Sequence, residues 1–217
     1  KPLAEFIDAI CKEIRTKEIR KELPEEEKAG FYQLLYYPVK GCEFLNKMVL
    51  YGQKNRWYAL QKRAATNSIS KEVKAYYDSL QIITQGYNSL LNGKWNPVMT
   101  TRQGFAASYF ELPKLMTVSL PDAPSLGVLA EGEDVLQGKS SIHTLPAFNT
   151  YFRQSYYVDL FNKGIIPLNW SVTTSDDWIV IDKKEGITKL EERIWVSIDW
   201  TKVPVGERIS GVIDVMA

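Results

Sequence analysis

The 217-residue chain contains one histidine, His143, and two cysteines, Cys11 and Cys42. One imidazole and two thiols without ligand spacing exclude a Cys/His zinc site. No Ser-His-Asp or Cys-His arrangement stands out. No Walker loop, G-x-G-x-x-G or G-x-S-x-G occurs, so no catalytic residue, metal ligand or cofactor site is assigned. No apolar run is long enough for a spanning helix, which needs about 20 residues. The opening residues, KPLAEFIDAICKEIRTKEIRKELPEEE, are charged and amphipathic and do not form a signal peptide. The chain begins without Met and is expected to be an excised piece or a processed product. Net charge is only +1, so no overall field calls for nucleic acid or an anionic membrane.

The composition is that of an ordinary globular protein, 45% apolar and 24% charged. Charge is unevenly placed. Residues 1–95 hold 16 Lys and Arg against 11 Asp and Glu, while residues 96–217 hold 11 against 15. A change of hydrophobic period accompanies this shift, and together they predict an α+β multidomain chain. A three-helix bundle over 1–95 is followed by an ordered connector over 96–125, packed on the bundle. An immunoglobulin-like β-sandwich over 126–217 completes it, and its six expected strands could leave it incomplete.

In the bundle, apolar residues recur at helical period over 2–20. Pro24 opens the second helix, with Glu25, Glu26 and Glu27 complementing its dipole. Phe31, Leu34, Leu35, Cys42, Leu45, Val49 and Leu60 mark its expected buried face, and Pro38 predicts a kink or brief break over 36–40. The third helix is expected to be capped by Asn67, Ser68 or Ser70. Its core stripe is Val73, Tyr76, Tyr77, Leu80, Ile83, Tyr87, Leu90 and Leu91, ending at a left-handed Asn92-Gly93 stop. The connector carries too many aromatics for a flexible linker, and Met116, Thr117 and Val118 suit a short strand.

From Leu126 the period becomes two. Expected strands are 127–131, 150–161, 168–173, 179–182, 193–198 and 210–215. Trp170, Trp178, Trp195 and Trp200 are the expected core weights, and Lys184-Glu185-Gly186 is one of the separating turns. The two cysteines are expected to be buried thiols, and His143 a loop residue. Asp176 with Asp177, and Glu191 with Glu192, are expected to be solvated turn charges, because adjacent strand residues point apart.

The stretch over 31–67 carries more polar groups than a core helix needs: Lys40, Asn46, Asn55, Arg56 and Asn67. Lys40, Asn55, Arg56 and Asn67, with Trp95 as an anchor in NGKWN, are candidate docking groups for a further domain. Lys54-Asn55-Arg56-Trp57-Tyr58 interleaves charge and aromatics in a way that suits a sugar or a nucleic acid by stacking plus charge. The near-neutral total charge and the helical setting count against nucleic acid. Packing of Trp57 and Tyr58 on neighbours is the plainer account of that segment.

The segments FYQLLYYPVKG (31–41), KNRWYALQKRAATN (54–67) and YNSLLNGKWNPVM (87–99) resemble the helical region that follows the catalytic barrel in glycoside hydrolase family 115, the xylan α-glucuronidases. LPAFNTYFRQSYYVDLFNKGIIPLNWSV (145–172) and VSIDW (196–200) resemble that family's C-terminal sandwich. The resemblance implies a secreted or periplasmic parent enzyme that removes glucuronic acid, or its 4-O-methyl form, from glucuronoxylan with inversion. Such chemistry needs two carboxyl groups roughly 6.5–9.5 Å apart. In the family they lie in a (β/α)₈ barrel of about 250 residues, for which this chain is too short, so no catalytic residue carries over. The implied partners are the catalytic barrel of the same polypeptide and a second copy in a homodimer, with a scaffold role for this region. The alternative is a carbohydrate-binding module using Trp57, Trp95, Trp178 or Trp200.

Overall fold

The computed structural model describes residues 19, 21–100, 110–133, 142–206 and 208–217. The expected helix over 2–20 falls, apart from Ile19, outside them, and so does Cys11. The described chain is α+β, with helices first and two antiparallel sheets after them. It packs as two compact units that interleave in sequence. One comprises Lys1–Asn55 and Ser68–Met116, the other Arg56–Asn67 and Thr117–Ala217. The turn between the two long helices therefore belongs with the sheets.

In the helical unit, α1 (Glu25–Phe31) starts behind Pro24, with three glutamates in its first turn as its dipole favours. The disturbance expected at Pro38 takes a mild form. One π-helical turn, Tyr32–Tyr36, runs directly into α2 (Tyr37–Leu60), and Tyr37 N–H donates to the Tyr32 carbonyl. Pro38 therefore sits inside a continuous helix, where it removes one backbone bond, and the wider turn just before it is the local change of register that accommodates it. The chain then stays helical through Gly41.

The next helix, α3 (Ala65–Gly93), begins ahead of all three expected caps. Its regular part stops where Leu90 turns extended and Leu91, Asn92 and Gly93 take φ of 50°, 60° and 80°. The expected left-handed stop is present and starts one residue early. Helices α2 and α3 run antiparallel. Tyr32 Oη donates to the Ile83 carbonyl at 2.9 Å, Tyr37 meets Thr84 and the Tyr87 ring, and Tyr51 meets Tyr76 edge-on.

The face that α2 buries is not the one its apolar spacing predicts. Leu34 is 83% exposed, and Leu35, Cys42, Val49 and Leu60 are exposed too. The buried positions are Glu43, Lys47, Met48, Gly52 and Asn55. Glu43 accepts from Lys40 at 2.6 Å and Lys47 at 2.9 Å, and Asn55 is spent on a backbone segment. Pairing of this kind makes burial of charged and amide groups tolerable. The expected buried thiol at Cys42 is corrected for the same reason, since it lies on the opposite side of the helix.

The sheets comprise seven strands among the described residues: β1 (Leu126–Ala130), β2 (Tyr156–Asn162), β3 (Leu168–Thr174), β4 (Ile179–Ile181), β5 (Glu185–Thr188), β6 (Glu191–Ile198) and β7 (Ile213–Met216). One sheet runs β1-β2-β6-β4 and the other β5-β3-β7. Val158, Leu160, Ile181, Ile194 and Val196 of the first pack on Trp170 and Val172 of the second, with Trp178 between strands. Alternate residues thus face one shared core. Strand β5 was expected to be a turn because of Gly186. In the sheet Gly186 opposes Trp170, and a Cβ there would lie 2.7 Å from the indole, so the glycine makes room for the ring and does not turn the chain. The expected strand over 116–118 does not form; that segment is held by side chains.

Candidate functional site

The densest set of chemically capable groups lies in the second unit, on the outer face of the first sheet. It is built from the turn after α2. Lys62, at φ 56°, stops the helix; its N–H donates to the Ala59 carbonyl, and Arg63 N–H reaches back to Tyr58. This is a Schellman stop with lysine where glycine is usual, and it throws Arg63 out of the helix. The next residue joins the sheet, Ala64 N–H donating to the Asn162 carbonyl at 2.8 Å.

Register does the rest. Asp159 opposes Arg193 and Phe161 opposes Glu191 across β2 and β6, so these side chains share the outer face. Arg63 enters above them and is only 2% exposed. Its Nη1 lies 3.0 Å from Glu191 and its Nη2 3.6 Å from Asp159, while Nε donates to Gln61. The guanidinium is stacked between the Tyr58 and Phe161 rings, 4.3 and 4.1 Å from their centroids. Phe161 in turn lies over Gly127, where a Cβ would approach the ring to 2.1 Å. Asp159 also takes two hydrogen bonds from Arg193, and Tyr58 Oη donates to Glu191 at 3.1 Å. Burial, then the adjacent Glu191 charge, raises the Tyr58 pKa, so the phenol stays a donor. Two guanidiniums answer two carboxylates, and the groups are used on one another.

Beside this network Asn162 is a second, fully buried knot. Its side-chain oxygen accepts from Ser125 and Gly164 N–H, and its amide donates to the Ile166 carbonyl. Its own N–H and C=O hold Leu190 and Ala64. One side chain thereby fixes the entry to β1 and the turn after β2.

The candidate docking residues take separate local partners. Lys40 pairs with Glu43. Asn55 Oδ1 accepts from Met116 N–H and its amide donates to the Met116 carbonyl, at 2.7 and 3.0 Å. Asn67 does the same with Val118 at 2.9 and 3.0 Å. Asn55 and Asn67 thus have an internal use that accounts for their place in the sequence. Arg56 is exposed, and Trp95 is half-buried with Lys94 Nζ 5.1 Å over its ring. Of the tryptophans named as sugar-stacking candidates, Trp178 is in the core and Trp57 is exposed.

Glu191 is corrected from a solvated turn charge to a half-buried member of β6, because Arg63 and Tyr58 compensate it. Trp195 is corrected from core to surface. His143 Nδ1 lies 2.7 Å from Glu133. Among the described residues no group of His, Cys, Asp and Glu could hold a metal ion, and no helix is long and apolar enough to cross a membrane. Sequence reasoning missed Tyr58, Arg63 and Asp159 as members of one assembly, and Asn162 as the knot beside it. The available signal was Asp159, a charge in the middle of the apolar strand YYVDLFN.

No protein-family model matches the chain, and no curated protein matches it. Among solved structures it is similar to a family GH115 4-O-methyl-α-glucuronidase, BtGH115A, described as having specificity for decorated arabinogalactans. The identity is 15% and the TM-score 0.40, over 89% of this chain and 31% of that one. The likeness is distant, and this chain spans less than a third of that enzyme's length.

Proposed function

We propose that the chain is the non-catalytic C-terminal portion of a longer, secreted or periplasmic glycoside hydrolase resembling family 115, and that it serves as a scaffold. In this proposal the helical unit is a three-helix bundle, the sheets form an immunoglobulin-like sandwich, and the catalytic barrel of the same polypeptide docks on them. Arg56 and Trp95 are the docking candidates that remain, because Lys40 is paired with Glu43 and Asn55 and Asn67 are spent on Met116 and Val118. A second copy of the chain is the other expected partner, and glucuronoxylan is met through the parent enzyme.

The observation that carries the scaffold role is the Arg63 network. Its carboxylates, guanidiniums and phenol are consumed in fixing one turn to one sheet, with Arg63 sealed from solvent. General acid–base work needs a group within reach of a substrate proton, whereas this cluster suits a rigid mount. The sequence motifs over 31–41, 54–67 and 87–99 supply the family. Incubation with glucuronoxylan oligosaccharides, read by uronic acid release, is expected to give no turnover, and turnover by the purified chain would refute the proposal.

A further inference from the structure

The outer face of the first sheet has two halves. At Phe161 and Glu191 it is covered by Arg63. At Tyr157 and Trp195, which oppose each other across β2 and β6, it is open, and Trp195 is 44% exposed. The two rings meet edge-on, with centroids 5.7 Å apart and planes at 76°. Arg193 lies 3.7 Å over the Tyr157 ring and is held there by its paired bonds to Asp159. The platform is therefore stiff before any ligand arrives, and little ordering is left to oppose binding.

Both sides of this pair end on a carboxylate. Tyr157 N–H donates to Glu131 Oε2 at 2.9 Å, and Trp195 N–H donates to Asp182 Oδ1 at 2.7 Å. Each acid stands where a neighbouring strand's carbonyl would otherwise accept. Among the described residues the second oxygens, Glu131 Oε1 and Asp182 Oδ2, accept no hydrogen bond, and neither Trp195 Nε1–H nor the Tyr157 hydroxyl has a hydrogen-bond partner. The surface thus offers an apolar ring face with donors and acceptors of fixed position around it.

The geometry points to a binding site for a neutral polysaccharide on this face, with the C–H face of one pyranose over Trp195 and its hydroxyls shared with Glu131, Asp182 and Tyr157. A cationic ligand fits less well, because Arg193 already occupies the π face of Tyr157 and repels a second cation. Phosphate-bearing ligands are disfavoured by the two flanking carboxylates. This inference uses the sheet alone and does not depend on the scaffold proposal or on the family resemblance.

The test is titration of the ¹⁵N-labelled chain with xylohexaose and, separately, with an arabinogalacto-oligosaccharide, following indole N–H resonances. Trp195→Phe assigns the relevant signal. At least one sugar is expected to shift the Trp195 indole saturably, and Trp195→Ala to weaken binding by about tenfold or more. Trp57→Ala, at the exposed helical tryptophan, is expected to leave binding unchanged. No Trp195 shift with either sugar would overturn the inference, as would binding that survives Trp195→Ala. A shift produced only by a lysine-rich peptide would overturn it in favour of a protein contact. The titration of the unmodified chain decides the matter even if Trp195→Ala fails to fold.

Discussion

Replacing Arg63 with alanine removes one guanidinium that three parts of the second unit share: the turn after α2, strand β2 and strand β6. Breaking a buried ion pair by deleting one partner costs about 3–5 kcal/mol, because the other charge is left without compensation. Here Asp159 keeps Arg193, so the uncompensated group is Glu191, whose side chain is 32% exposed and can partly rehydrate. That places the loss at the lower end, about 3 kcal/mol, with the two ring contacts included. Arg63→Met keeps part of the packing and should lose about 2 kcal/mol; adding Glu191→Gln should restore part of this, with a coupling of about 1–2 kcal/mol. The assay is urea unfolding followed by tryptophan fluorescence, which Trp170 and Trp178 report from the sandwich core, with the slope unchanged. A loss below about 0.5 kcal/mol for Arg63→Ala would be that of a surface pair and would refute the reasoning.

Asn162→Ala leaves the Gly164 N–H unpaired where it is buried, and the Ser125 N–H and Ile166 carbonyl unpaired where they are part-buried and can partly rehydrate; about 2 kcal/mol of destabilisation is expected, read by the same unfolding curve. Glu43 is pushed up by burial, and the bonds and charges of Lys40 and Lys47 outweigh this and hold it below the usual carboxylate range. A carboxylate lowered in the folded state stabilises the fold above its unfolded pKa of about 4.3, and that contribution is lost as pH falls through the folded pKa. Unfolding midpoints of the parent chain and Glu43→Gln should therefore differ at neutral pH and converge in acid, and a gap that persists at about pH 2 would contradict the pairing.

The elements that could be read from sequence are those set by short-range chemistry. Pro24 with its glutamates, the left-handed stop after Leu90, and the alternation of β2, β3 and β6 need only near neighbours. The buried face of α2 was misread for the opposite reason. Leu34, Leu35, Val49 and Leu60 have helical spacing, but Asn55 is buried by Met116, 61 residues away, which local spacing does not show. The Lys40, Glu43 and Lys47 pairs are local, yet their burial runs against the usual exposure of charged groups. Gly186 was misread because its need for space comes from Trp170 on another strand. The Arg63 network escaped notice because it joins a helix stop to two strands about 100 and 130 positions on. Trp195 looked like core by its residue type, and only the parity of β6, with Ile194 and Val196 inside, puts it at the surface.

The three asparagine clips have a consequence for how the segment between helices and sheets ages and breathes. Asn55, Asn67 and Asn88 each present one acceptor and one donor to a single residue, Met116, Val118 and Met99 respectively. That is the pairing a neighbouring β-strand would give, supplied one residue at a time. Among the described residues, slow hydrogen exchange at Met99, Met116 and Val118 should then appear as isolated points. Conversion of any clip to aspartate by spontaneous deamidation would put a charge against the carbonyl its amide now serves. A segment tied at single points can be released one point at a time, whereas a strand must unzip.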